Sequence, residues 1–521
     1  MNRYVGTAAL VRAALRRDRV LLGVWVLVLT VVVYASAAAT VDLYPSAADR
    51  VSAARALNAN RAVVVLYGPI LDVHSVGELA MTKLTVLYAV FVALLVLVLV
   101  RRHTRGEEEA GRAELIGATV VGRGALLAAA VLEGAGAAVL VGLLAAAADV
   151  AGGLPVTGSL AFGASWTGIG LVAAGLTALA CQLSASSRTC AGVAGGALAL
   201  LYALRAVGDV GPAALSWASP FGWSTRLRAW DEPRWWVLLL DLGLAAALAV
   251  AAGVLRERRD LGSGVLPTRP GPREGSPRLG DVFALTWRVH RATVLTWSVS
   301  VVALGAVLGA IAPGVGDLLD SEAGRAMLES LGGAGALQDA LLSAVLTIAA
   351  VVVTGFGIAV VGHGSTDEHD GRTEQVLATA TSRSRAFLAA SVLAVGGVAW
   401  LLALTGLATG VGLGSDVGGL LLAGLAQAPA AWTVLGVVVL LAAVRSRWAV
   451  LGWAVLGLLF LVGELGDLLR LPGWVSGLSP YAHSPAMPAE AFAPVPALVL
   501  TGLSAGLLAT AWWRFTRRDI G

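Results

Sequence analysis

Apolar residues run along this chain in stretches long enough to cross a ~30 Å hydrocarbon layer as helices of about 20 residues. Short polar segments rich in arginine, glycine and acids separate them. The stretches fall near 20–40, 80–100, 125–148, 160–183, 191–207 and 236–255, and recur near 293–312, 340–362, 386–409, 420–443, 448–466 and 496–513. The pattern predicts an all-α, polytopic membrane protein with about 12 transmembrane helices in two six-helix halves. Between them, residues 256–281 (RERRDLGSGVLPTRPGPREGSPRLGD) hold too much Gly, Pro and Arg to continue a helix and read as a linker. The divisions are therefore 1–255, 256–281 and 282–521.

The halves are pseudo-symmetric copies. EEEAGRAELIGATVVGR at 107–123 returns as DEHDGRTEQVLATATSR at 367–383, pairing Gly111 with Gly371, Arg112 with Arg372, Glu114 with Glu374, Ala118 with Ala378, Thr119 with Thr379 and Arg123 with Arg383. Nearly the same offset pairs Ser187-Arg188 with Ser446-Arg447, Asp209 with Asp467, Ser219-Pro220 with Ser479-Pro480, and Arg258-Arg259-Asp260 with Arg517-Arg518-Asp519. A duplication spanning the chain fixes how every other motif is read.

Ahead of the first span, Ala8, Val11 and Leu15 recur at helical spacing while Arg12, Arg16 and Arg19 form another stripe; the second half repeats this with Leu285 and Val289 against Arg288 and Arg291. Each half is thus expected to begin with an amphipathic elbow helix at the membrane surface, serving as a positive-inside anchor or as a mechanical element. Trp297 then stands where Trp25 stands in the first half. Before the last span of each half comes an aromatic, proline-bearing segment, LSWASPFGWSTRLRAWDEPRWW and LSPYAHSPAMPAEAFAPVPA. Such segments form short helices dipping into the outer leaflet or an ordinary interfacial belt, with Trp217, Trp223, Trp230, Trp235 and Trp236 at headgroup level.

Composition agrees with lipid as the solvent: 57% of residues are hydrophobic, 13% charged, and the mean hydropathy is +0.81. Arg101, Arg102, Arg105 and the arginines of the linker assign their side to the cytoplasm, with both termini there. The net charge of +4 then reflects anchoring on the inner leaflet, not nucleic-acid binding. The two cysteines, Cys181 and Cys190, lie on that reducing side and imply no disulfide framework. The first hydrophobic run is too long for a signal peptide and reads as retained.

Catalytic chemistry finds no support. A nucleotide-hydrolysing chain needs a glycine loop with a lysine, and the one lysine, Lys83, follows no such loop. No HExxH or paired-cysteine motif occurs, and the six histidines are scattered along the chain, so no catalytic or metal residue is expected. What remains is the duplicated loop: acids, a Gly-Arg step, and a short helix expected to end at Arg123 or Arg383, where acids at the start and a base at the end suit the helix dipole. Intramembrane charge adds a possible pathway set: Glu133, Arg205 with Asp209, and Glu464 with Asp467. Glu133 reads either as a helix–helix hydrogen bond in a glycine-rich interface or as a substrate- or proton-handling group. Arg205–Asp209 reads as a local ion pair and Glu464–Asp467 as a rim acid cluster.

Elbow helices, an acidic-Gly-Arg-x-Glu loop after the second span, a Ser-Pro-aromatic outer segment and an Arg-Arg-Asp end together resemble the export permeases of ABC transporters. More narrowly, they resemble the fused twelve-helix exporters of polyketide antibiotics of actinobacteria, of the tetronasin-resistance type. The similarity covers essentially the whole chain, though only the loop motif is sharp. The resemblance implies export of bulky hydrophobic or amphipathic compounds by alternating access of the two halves. ATP and Mg would be bound on a separate ATPase subunit, two copies per permease chain, and this chain would hold no cofactor. Coupling would fall on Glu108, Gly111, Arg112, Glu114 and Arg123, and on Glu368, Gly371, Arg372, Glu374 and Arg383. The alternative is a proton-driven multidrug antiporter of the major facilitator type, which also carries loops at these topological positions. Its motif, however, needs Asp-Arg-x-Gly-Arg-Arg, whereas here acids cluster before a single Gly-Arg.

Overall fold

The chain opens with α1, Thr7–Leu43, in a computed structural model that describes residues 3–266, 274–276, 279–313, 334–465, 475 and 477–519. At 1.5 Å per residue, its 37 residues extend about 55 Å, well beyond the hydrocarbon thickness. The expected elbow is therefore not a separate helix. Nothing between Thr7 and Leu22 is a glycine or proline that would break the rod, so the basic stretch is simply the start of the first span. The same correction applies to the second half, where Val282–Ile311 is one helix with no glycine or proline before Gly305.

Among the described residues, eleven helices are long and apolar enough to cross a membrane, and no strand forms. The protein is an all-α, multi-pass membrane protein. The run near 448–466 shows a turn at Ser446–Val450 followed by the shorter apolar helix Leu451–Leu465. The helices divide into two compact units, Met1–Gly271 and Pro272–Gly521.

In the first unit α1 is followed by three short helices, α2 (Ala47–Ala59), α3 (Arg61–Tyr67) and α4 (Val76–Lys83). A π turn, Leu84–Tyr88, joins α4 to α5 (Ala89–Arg102), and buried Trp166 donates its indole N–H to the Leu84 carbonyl at 3.1 Å. Next come α6 (Arg105–Glu109), α7 (Arg112–Gly117), α8 (Ala125–Ala151), α9 (Val156–Leu183) and α10 (Ser187–Val210). After α11 (Ala213–Trp217) and α12 (Pro220–Arg226), α13 (Leu238–Glu257) ends the unit's helices. Backbones of α8 and α9 touch: a Cβ on Gly163 would lie 2.2 Å from the Gly142 carbonyl oxygen, so only glycine permits this crossing. Around it Phe162, Trp166, Leu95 and Leu99 are almost wholly buried.

The second unit packs α14 (Val282–Ile311) against α17 (Arg383–Leu413), and α19 (Ala428–Val444) against α21 (Pro494–Arg517). Between these lie α15 (Ala334–His369), α16 (Arg372–Leu377) and α18 (Val417–Ala426), with α20 (Leu451–Leu465) between α19 and α21. Phe356, Val398, Leu401, Val434 and Leu435 form its core. Trp25 meets Phe91 at 6.4 Å and Trp297 meets Phe356 at 6.0 Å, so each tryptophan braces the second span of its own unit.

The outward faces are apolar. On α1, Val24, Leu27, Val28 and Val31 are exposed while Leu29, Val33 and Ala37 are buried, which suits a lipid-facing rod. The segment before the last span of the first unit does fold into short helices. Ser219 caps α12 with Pro220 at its first position, and Ser479-Pro480 begins a 3-10 turn, Pro480–His483, at the matching place. Trp235 and Trp236 are about half exposed, whereas Trp230 turns inward, 6.3 Å from the Phe162 ring.

Candidate functional site

Both copies of the loop fold alike. Gly111 (φ 70°) and Gly371 (φ 72°) occupy the left-handed region, each N–H bonding back to the second acid's carbonyl, Glu108 or Glu368, at 3.1 Å. Each glycine is followed by one short helix, α7 or α16, beginning at Arg112 or Arg372. Ala118 N–H donates to the Glu114 carbonyl and Ala378 N–H to the Glu374 carbonyl; the Thr119 and Thr379 hydroxyls donate to the Ile116 and Val376 carbonyls, both at 2.6 Å. The arginine then folds back onto the first acid. Arg112 grips Glu107 with Nε at 2.6 Å and Nη2 at 3.1 Å, and Arg372 Nε meets Asp367 at 2.6 Å with Nη2 2.8 Å from Asp370. These hydrogen bonds hold both guanidiniums charged, above their already high ordinary pKa.

In the first unit the three acids point three ways. Glu107 also accepts from Arg17 Nη1 at 2.5 Å, tying the loop to the basic start of α1. Glu108 turns inward, taking Arg105 Nη1 at 2.7 Å and Arg259 at 2.6 and 2.9 Å, so the loop holds the chain that leaves α13. Glu109 accepts the Ser187 N–H at 2.5 Å, an acid at the N-terminus of α10. In the second unit Glu368 pairs with Arg518, the repeat counterpart of Arg259.

Several expected roles shift. The short helices end at Gly117 and Leu377, so neither Arg123 nor Arg383 closes them. Arg123 lies exposed ahead of α8, and Arg383 opens α17, where its Nη1 donates to the Arg518 carbonyl at 2.8 Å and the Thr516 carbonyl at 3.3 Å. Glu108 and Glu368 face inward, leaving Arg112, Glu114, Arg372 and Glu374 on the exposed side. The copies also differ in grease. Leu115 and Val120 are 72% and 73% exposed, whereas their counterparts are Gln375 and Ala380.

Arg12, Arg16, Arg19, Arg288 and Arg291 stand exposed on α1 and α14. Arg205 forms the expected pair with Asp209 at 3.1 Å, both side chains buried, and also donates to the Leu66 carbonyl while stacking 4.5 Å over Tyr202. Asp209 accepts the Ser216 hydroxyl at 2.6 Å. This pair is therefore used up pinning the end of α3 and the short helix α11 to α10. The Glu464 side chain and Asp467 lie outside the described residues. Among the described residues Glu133 has no hydrogen-bond partner, contrary to the helix–helix bond; its carboxylate stands 3.4 Å from His103 Nε2.

His103 in turn bonds Asp18 at 2.6 Å, so three helices assemble a buried His-Asp-Glu set that spacing along one helix does not reveal. The expectation of no metal residue rested on spacing along one helix, and this set is drawn from three. Asp18, a lone acid inside the arginine run 12–19, was the available signal for it; Arg17, hidden among those arginines, carried none.

Residues 279–516 match the family model described as the multidrug efflux system permease Rv1217c, C-terminal domain. Over its whole length the chain is similar to the multidrug efflux system permease protein Rv1217c of Mycobacterium tuberculosis (strain ATCC 25618 / H37Rv), 38% identical across 528 aligned residues, covering 99% of this chain and 96% of the relative. The chain belongs to the Rv1217c family of multidrug efflux permeases. Membership in that permease family agrees with a transporter rather than an enzyme, and the match spans both loop copies.

Proposed function

We propose that the chain is the membrane permease subunit of an ATP-driven ABC exporter that extrudes bulky hydrophobic or amphipathic compounds, drugs among them, by alternating access. It lies in the plasma membrane with both termini cytoplasmic, and ATP with Mg is bound and hydrolysed on a separate ATPase subunit, two copies per chain. The observation that carries this reading is the loop geometry repeated in both units: a left-handed glycine, a charged arginine braced by an acid, and a short helix whose other face is exposed. A free six-residue helix with an exposed Glu114 or Glu374 offers a soluble partner both charge and shape. The first unit supports force transmission as well, because Arg112, Glu107 and Arg17 form one ionic chain from the short helix to α1.

The second docking site presents Gln375 and Ala380 where the first presents Leu115 and Val120, so the two copies of the ATPase are gripped unequally. The cargo class follows from the relative's name and from the scarcity of charge in the spans. The test is co-expression with the cytosolic ATPase followed by pull-down and drug efflux. Arg112→Glu with Arg372→Glu abolishes assembly and ATP-driven efflux under this reading. Assembly-independent efflux that uncouplers abolish would instead establish the proton antiporter.

A further inference from the structure

Asp18 on α1, His103 at the end of α5 and Glu133 two turns into α8 converge in the first unit, each side chain at most 9% exposed. Their ligand atoms all lie within 4.8 Å of one another. Both Glu133 oxygens are buried without a hydrogen-bond partner, although they face this cluster. A carboxylate buried without a partner is strongly disfavoured unless a cation or a proton compensates it, so the arrangement calls for a cation.

We infer that Asp18, His103 and Glu133 bind one divalent transition-metal ion of the zinc or manganese class. The donor set decides the class: one imidazole with two carboxylates suits borderline cations, whereas calcium and magnesium prefer all-oxygen ligands. Ligand atoms around a tetrahedral ion bound at ~2.0–2.2 Å stand about 3–3.5 Å apart, and His103 Nε2 to Glu133 Oε2 is 3.4 Å. The 2.6 Å between His103 Nε2 and Asp18 Oδ2 is the hydrogen bond of a ring carrying its proton. An ion takes that proton's place and opens the separation by less than about 1 Å. Arg102 Nη1 stands 2.7 Å from the other Asp18 oxygen, Oδ1, so it orients the ligand without occupying the ligating atom.

Charge agrees. The carboxylates of Asp18 and Glu133 outnumber the one guanidinium beside them, Arg102, so the pocket favours a bound cation. The second unit cannot repeat the site: by the tryptophan register Asp18 becomes His290, by the loop register His103 becomes His363 and Glu133 becomes Leu393, and the two histidine rings meet at 5.0 Å. One site per chain follows. Its place is telling, since Asp18 neighbours Arg17, the residue that joins α1 to the loop. The ion would clamp α1, α5 and α8 together at that joint. The inference does not depend on the ATPase reading.

The experiment uses the full chain, purified in lipid nanodiscs through a tag without histidines, and reads metal content and the visible absorption of added Co²⁺. Expected are about one tightly held ion per chain and a saturable Co²⁺ spectrum of low coordination number. Glu133→Gln and His103→Gln should each weaken binding 10-fold or more, with unchanged gel-filtration profiles. A folded wild type with no saturable Co²⁺ spectrum overturns the proposal. So does a spectrum indifferent to both substitutions, which marks an ion bound elsewhere, or stabilisation by mild acid alone with no response to metal, which marks a proton as the cation.

Discussion

Glu108→Gln removes the one anion that serves two buried cations. The Glu108 side chain is 3% exposed, Arg105 0% and Arg259 2%, so water cannot replace the lost charge. Arg105 also spends its guanidinium on the Cys181 and Ser263 carbonyls, and Arg259 on Gln182, so neither can swing out to solvent. Removing one member of a buried pair costs ~3–5 kcal/mol, and two stranded guanidiniums put this case at the upper end. The repeat-related Glu368→Gln strands only Arg518, in a pair 10% and 14% exposed, and should cost about 1–3 kcal/mol. The expected gap of at least ~2 kcal/mol is a difference of ~30-fold or more in unfolding equilibrium. Reversible unfolding in lipid bicelles by steric trapping measures both variants. Glu108→Gln combined with Arg259→Met should recover part of the loss, because it deletes a cation along with its anion. Equal losses below ~0.5 kcal/mol, or a larger loss for Glu368→Gln, would refute the argument.

Three further outcomes are expected. Gly163→Ala drives a methyl to 2.2 Å from the Gly142 carbonyl oxygen and should destabilise the first unit by ~1–3 kcal/mol in the same assay. Arg205→Met leaves Asp209 buried without its cation and should cut the yield of folded protein severely (~3–5 kcal/mol), yet molecules that do fold should transport at the wild-type rate, since Arg205 anchors structure. Leu115→Ser should weaken ATPase binding about 5–30-fold in a biosensor titration, from ~1–2 kcal/mol of lost apolar burial, whereas Gln375→Ser changes it less than about 3-fold.

The membrane class was legible because a span imposes some 20 apolar residues in a row, and the duplication because two loops with a left-handed glycine keep the same Gly-Arg-x-Glu. That Arg258-Arg259-Asp260 and Arg517-Arg518-Asp519 match was visible too. That Arg259 and Arg518 close back onto the loop acids Glu108 and Glu368 was not, because residues some 150 positions apart meet only through the folding of intervening helices. The elbow is continuous with the first span for a local reason. Amphipathic spacing tells where a helix meets the interface, but only a breaker tells where it ends, and residues 7–22 contain neither glycine nor proline. The same limit applied to Arg383, where residues 378–382 contain neither glycine nor proline, whereas before Arg123 the stop signals Gly117 and Gly122 were present. The His-Asp-Glu set escaped notice because its members come from three helices, and spacing arguments see one helix at a time.

The central claim is that an external ATPase drives this permease through the two loops. Its most direct test is transport in proteoliposomes holding the purified chain and its ATPase, with ATP added and no ion gradient. The account predicts drug movement that requires ATP and disappears in the Arg112→Glu, Arg372→Glu double variant while both proteins stay folded. Movement driven by a pH gradient without the ATPase, and unchanged in that variant, would contradict it.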